Sequence, residues 1–174
     1  KSSRTNINFF VDISSVSPTP ANLTLKAGPV ATTGGRFNGQ SFVFGIPEDI
    51  TVSVIDGIAS FDNIEVYEGS YLSQSYVYST RNPFQKFILP NIGDGVFGKA
   101  LEDGNIIEMT YIVTNGSDGN GVNSFTFSGS VSYVRNSVEI FVTSGISLIS
   151  TVLPSSGGES IESIDSIRKY APQV

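Results

Sequence analysis

Three groups of residues in this sequence are of types that do chemistry. Gly93-Asp94-Gly95-Val96-Phe97-Gly98 has the spacing of a dinucleotide-binding glycine loop, in which backbone N–H groups at a helix N-terminus receive a pyrophosphate. That chemistry needs a strand before the loop and a helix after it. Here Leu89-Pro90-Asn91 precedes it, and Lys99-Ala100-Leu101 runs straight into Glu102-Asp103-Gly104, leaving no length for the helix. The context supports a turn-rich connection between strands instead. Asn115 to Gly121 offers Asp118 and Asn120 as oxygen donors, in the manner of a calcium loop. Val122 stands where a third ligand is needed, so a hairpin loop is the better reading. The last group is the carboxylates Asp62, Glu65, Glu68, Glu102 and Asp103, since a glycosidase needs two acids roughly 5–10 Å apart. Asp62 and Glu65 are expected on opposite faces of one strand, and Glu102-Asp103 at a turn.

The residues that are missing narrow the chemistry further. The 174-residue chain has no Cys and no His. Disulfides, thiolate and imidazole metal sites, and every Ser-His-Asp or Cys-His arrangement are therefore excluded. It has no Trp, and its seven Tyr are spread widely, so no sugar-stacking platform is indicated. Net charge is −6, and the basic residues are scattered singly apart from Arg168-Lys169, which argues against nucleic acid as a partner. No apolar run reaches the roughly 18–20 residues that span a bilayer, so no membrane partner is expected. No catalytic residue, metal or cofactor is assigned, and the chain is expected not to be an enzyme.

The elements that would position these residues are mainly strands. Charged residues are only 15% of the chain, with 18 Gly, 8 Pro and many β-branched residues, a composition of strands joined by turns. Strands are expected at 7–13, 22–27, 42–44, 50–55, 58–66, 71–78, 85–89, 105–114, 124–134, 138–142 and 146–153. Leu23 and Leu25 alternate with Thr24 and Lys26, as in a half-buried strand. Gly28-Pro29 and Gly34-Gly35 are read as bracketing a loop. Asp56-Gly57 between two alternating runs is a strong hairpin signal, because a primed turn needs positive φ at both central residues. In the second run Ile58, Ser60, Asp62, Ile64 and Val66 are expected to share one face. The strand from Asn105 to Thr114 is given Ser124 to Val134 as its partner. Phe42, Phe44, Phe61, Phe125 and Phe127 are read as core rather than as a ligand box. The fold class that follows is mainly β, with antiparallel strands and hairpins in a sandwich or open, barrel-like arrangement, closed by one short C-terminal helix.

That helix rests on Ile161, Ile164, Ile167 and Ala171, which recur at three- and four-residue steps. Ser156 or Ser160 caps its start, acids fill its first turns, Arg168-Lys169 its last, and Pro172 stops it. At about three turns it is marginal alone and must pack on something. Ile161, Ile164, Ile167 and Tyr170 are accordingly the expected partner contacts. The expected organisation is a β-rich domain over 1–154, then a Gly157-Gly158 hinge and connector helix over 155–174.

Three ordered stretches carry a resemblance. They are Ile46-Pro47-Glu48-Asp49-Ile50-Thr51 with Val66-Tyr67-Glu68-Gly69; Gly95-Val96-Phe97-Gly98-Lys99-Ala100-Leu101-Glu102-Asp103-Gly104-Asn105 running on to Thr114 through Gly121; and Gly157 through Ile164 with Ser166 through Pro172. Together they resemble the baseplate wedge protein of large contractile-tailed phages, within the broader baseplate J-like family. The resemblance covers nearly the whole chain; its weight lies in the order of the motifs, not in any one of them. It implies a structural part of the virion's tail baseplate, assembled in the host cytoplasm. Its partners would be other copies of the same protein, as a homo-oligomer in the full assembly, and other wedge subunits. It also implies a subunit that holds a hub in a strained ring until the tail contracts. Relatives carry a longer passage between the Leu89-Pro90-Asn91 stretch and the glycine stretch, so a segment near 91–92 is shortened or missing here. They also continue beyond both ends, so the chain reads as an interior fragment. Two alternatives are a carbohydrate-binding or adhesin-type β-sandwich and a two-carboxylate hydrolase.

Overall fold

A computed structural model describes residues 1–33, 37, 39–77 and 102–160. The expected strand at 85–89, the glycine stretch 93–98, the 91–92 junction and the helix with Ile161, Ile164, Ile167 and Tyr170 lie outside the described residues. By compactness the chain divides into one unit of Lys1–Tyr71 with Ile112–Val174 and another of Leu72–Tyr111.

The first unit is an open antiparallel sheet folded around one core. Its strands are β1 (Arg4–Asp12), β2 (Asn22–Leu25), β3 (Gly28–Thr33), β4 (Val43–Ile46), β5 (Ile50–Ile55), β6 (Ile58–Glu68), β9 (Phe125–Phe127), β10 (Val131–Arg135), β11 (Val138–Phe141) and β12 (Ser150–Thr151), with β7 (Ser70–Val77) and β8 (Ile106–Val113) forming a separate pair. The path runs β11-β10-β2-β5-β6-β4-β3-β9 without closing, and β1 lies along β6 with β12 beyond it. β5 turns the corner. Asn22 to Leu25 pair with its first four residues, while Val54 and Ile55 pair with Ala59 and Ile58 of β6. One strand thus serves two layers, which bends the sheet over the core as in a sandwich corner.

Local turn chemistry sets several of these junctions. Ile55 pairs with Ile58 across the two-residue turn Asp56-Gly57, whose φ values are 51° and 81°. That is the primed hairpin geometry, which matches the right-handed twist of the strands it joins. Asn136-Ser137 makes a second such turn, at φ 50° and 64°, between β10 and β11.

The strand faces sort by alternation, with one interruption. In β1, Ile7, Phe9 and Val11 are buried while Arg4, Phe10 and Asp12 face solvent. In β6, Ala59 and Phe61 are buried, then Ile64, Val66 and Glu68. Ile58, Ser60 and Asp62 consequently do not share a face with Ile64 and Val66. The reason is a bulge: the register slips between Ile7↔Ile64 and Phe9↔Phe61, so Asp62 and Asn63 both lie opposite Asn8. Asn63 takes φ 56°, its N–H donates to Asn8 Oδ1 at 2.6 Å, and its Oδ1 accepts from Asn6 Nδ2 at 2.7 Å. An inserted residue reverses the phase of everything after it.

Pairing corrects two further expectations. Residues 28–33 form β3 between β4 and β9 rather than a loop. β8 pairs with β7, while β9 pairs with β3 and β10 with β2 and β11, so residues 124–134 are not the partner of 105–114. The expected strand over 146–153 narrows to β12, with Ile146 bridging Val11.

The core is the aromatic set read from the sequence, joined by Leu23, Leu25 and Val131 from the far side of the corner. Phe42, Phe44 and Phe61 are fully buried, Phe125 is buried and Phe127 packs against them. Phe61 stacks on Phe9 with centroids 4.8 Å apart, and Phe44 meets Phe125 edge-on at 5.1 Å. Such contacts add specific geometry to the burial that drives them.

Candidate functional site: a buried carboxylate and two exposed faces

Glu68 ends β6 on its inward face and is 1% exposed. Its Oε2 accepts the Thr114 hydroxyl and, at 3.0 Å, the Asn115 N–H; its Oε1 accepts Asn115 Nδ2 at 2.8 Å. Its backbone N–H donates to Ser3 O at 2.8 Å. The carboxylate thus ties the N-terminal residues and the 114–120 segment to the sheet. A buried charge is tolerable only when donors surround it, and here three do. Among the described residues no buried side-chain polar atom lacks a partner.

The segment read as a possible calcium loop belongs to this knot. Gly116–Gly119 is a turn of 3-10 helix. Asn120 Oδ1 accepts both Ser3 Oγ and the Gly158 N–H at 2.9 Å, and Asn120 Nδ2 donates to Gly158 O at 3.0 Å. Its oxygen is committed twice over and is not offered to a cation. Among the described residues, no group of three or more acidic, His or Cys side chains is arranged to hold a metal.

Gly158, read as half of a hinge, is a point of close approach. A Cβ there would overlap Gly116 O and Ser3 Oγ, whereas one at Gly157 would meet nothing within 4 Å. Gly158→Ala should therefore cost about 2–3 kcal/mol, the upper part of the range for forcing atoms into a packed site. Gly157→Ala, strained only by its φ of 79°, should cost about 1 kcal/mol. Urea denaturation of the two variants checks this; equal, small losses would mean that Gly158 is not packed as described.

Asp62 and Glu65 do not converge. The bulge puts Asp62 and Glu65 both on the outer face of β6, not on opposite faces. They line different hollows, one of about 390 Å³ holding Asp62 and one of about 470 Å³ holding Glu65. Glu65 is engaged by Arg4 at 3.3 Å and by the Tyr67 hydroxyl at 2.5 Å. Glu102 and Asp103 belong to the second unit, in the turn before β8, where the Asn105 N–H donates to Glu102 O at 3.1 Å. Neither phenol near β6 is primed as a base. Tyr67 is raised by its hydrogen bond to Glu65, and burial, with Tyr67 beside it, pushes Tyr71 up to about 12.

No protein-family model matches the chain, and no curated protein does. Its surface is then the remaining guide to what it does.

Two exposed faces of the first unit stand out. One is the β10–β11 hairpin at the open end of the sheet. Ile140 packs inward, whereas Val134, Val138 and Phe141 are exposed at 70%, 59% and 53%. On the same face of the hairpin as Val134, whose cross-strand partner is Glu139, Lys26 binds Asp49 at 2.5 Å and Glu139 at 3.5 Å. The hydrogen bond to Asp49 raises the proton affinity of Lys26, and the same bond holds Asp49 below the usual carboxylate range. The other face lies over β1, where residues 145–156 form a strap along the strand's far edge. Asp12 N donates to Gly145 O at 2.8 Å, Ser147 N to Phe10 O at 2.9 Å, and Arg4 and Ser156 exchange bonds of 2.9 Å. The strap leaves Leu148, Val152 and Leu153 in solvent.

Sequence reasoning missed Glu68 as a structural centre. The signal was there in part, since Glu68 continues the Ile64, Val66 alternation into the core.

Proposed function

We propose that this chain is a structural module of a phage tail baseplate wedge, acting through protein–protein contacts with further copies and with other wedge subunits in the virion. The ordered resemblance supports this reading. The observation that carries it is the open end of the sheet, where, among the described residues, β11 pairs on one side only and shows Val138 and Phe141 to solvent. An apolar, unpaired edge is a hazard for a protein that lives alone and an asset for one built into an assembly. The outward apolar side chains are what a neighbouring subunit would bury.

Sedimentation of the chain over a range of concentrations tests this. The expected result is a concentration-dependent larger species, which Val134→Lys with Phe141→Lys abolishes while circular dichroism stays the same. A chain that stays monomeric throughout, or a double variant that assembles as well as the parent, overturns the proposal.

A further inference from the structure

The outer face of β1, between β6 and the strap, has a lining that the assembly reading leaves unused. Phe10 stands outward on β1, and its cross-strand neighbour is Ser60, too small to cover the ring. The ring is 47% exposed. Beside it a hollow of about 390 Å³ is lined by Asn8, Ser60, Asp62, Leu148 and Ser150 as well. A second hollow, of about 470 Å³, shares Asn8 with it and is lined also by Asn6, Asn63 and the paired Arg4 and Glu65. Both volumes lie within the roughly 300–1,000 Å³ of small-ligand sites.

The polar groups are held but not spent. Asn8 Oδ1 is occupied by the Asn63 N–H, which fixes the amide and leaves its two N–H donors unused. Among the described residues Asp62 has no ion pair and no hydrogen bond, so its carboxylate keeps its full accepting capacity. Ser60 and Ser150 add hydroxyls. No cation lines the first hollow, so nothing there favours a phosphate or sulfate.

We propose that this trough binds a neutral saccharide, with Asp62 accepting from one pair of hydroxyls, Asn8 donating to another oxygen, and Phe10 covering the apolar C–H face of the ring. The combination is what the ligand chemistry asks for. A pyranose offers donors and acceptors side by side on its rim and carbon-bound hydrogens on its face. A carboxylate makes the stronger, charge-assisted bonds to the hydroxyls, and an exposed aromatic ring supplies area at little entropic expense. A basic peptide is the competing class, since Asp62 would attract it, but the first hollow holds no second anion, and Glu65, in the second, is already engaged by Arg4 at 3.3 Å. This inference stands apart from the assembly reading, which can fail or hold without it, and it gives the carbohydrate-binding alternative a definite place.

The test is nuclear magnetic resonance on the isotope-labelled full chain. Four probes are titrated in turn: methyl glucopyranoside, methyl mannopyranoside, methyl galactopyranoside and N-acetylglucosamine, followed by a short Lys/Arg peptide. The expected result is that at least one sugar shifts the amide signals of Asn8, Phe10, Ser60, Asp62 and Ser147 to Ser150. Phe10→Ala and Asp62→Asn should each weaken that sugar by about tenfold. Both residues are on the surface; should Phe10→Ala fail to fold, Asp62→Asn carries the comparison alone. No shift with any of the four sugars, shifts confined to another face, binding unchanged by the folded variants, or binding of the peptide only would overturn the proposal.

Discussion

Replacing Phe61 by alanine should destabilise the first unit by about 3–5 kcal/mol, the range for deleting a buried aromatic ring. The ring is fully buried, stacks on Phe9 at 4.8 Å and 11°, and Phe9 in turn meets Phe127 at 5.1 Å. Removing it takes away the transfer energy of the ring and opens a cavity that the flanking strands cannot close, because β6 is pinned by β1 on one side and by β5 and β4 on the other. Against a total stability of about 5–15 kcal/mol for a typical domain, the loss is large. Phe10→Ala, one residue from the stacked partner but facing solvent, should change stability by about 0.5 kcal/mol at most. Urea midpoints with an unchanged slope would measure both. A Phe61→Ala loss below about 1 kcal/mol would mean that the ring does not fill the core as described.

Glu68→Leu should cost about 3 kcal/mol or more. The change leaves the Thr114 hydroxyl, the Asn115 N–H and the Asn115 amide facing an apolar group, and each unsatisfied buried donor costs about 1–3 kcal/mol. Glu68→Gln separates charge from connectivity. Its carbonyl oxygen can take the place of Oε2, accepting Thr114 and the Asn115 N–H. Its NH₂ can then donate to Asn115 Oδ1 once that amide turns over, a rotation that exchanges only O and N. Glutamine should therefore lose about 1 kcal/mol, and the pair of variants should bracket the role of the network. Amide hydrogen exchange at Asn115 and Gly116 gives a local readout: leucine should release protection there, glutamine should keep most of it. Equal, near-zero losses for both variants would show that these bonds contribute nothing net.

How much of this was legible beforehand depends on the range of the interaction. The Asp56-Gly57 hairpin was readable because the turn geometry is a property of two residues and their φ preferences. The core phenylalanines were readable because large aromatic rings between polar turns have nowhere else to go. The candidate site was less so. Glu68 looked like any strand acid, and its three donors come from residues more than forty positions away. Asp62 and Glu65 were placed on opposite faces because strict alternation was carried through a strand that breaks it.

A mainly β, antiparallel fold, the main hairpin, the aromatic core and a chemistry without His or Cys are all readable from the order of the residues. These follow from composition, period-two patterning and local turn propensities, all of which act over a few residues. Long-range packing alone sets the bulge at Asp62-Asn63 that turns Ile64, Val66 and Glu68 inward, the pairing of β8 with β7, and the close approach at Gly158. Strand partners are chosen by which distant faces can be buried together, and an inserted residue costs little locally while reversing every face beyond it. A strand carries its own alternation, but its register exists only in the presence of its neighbours.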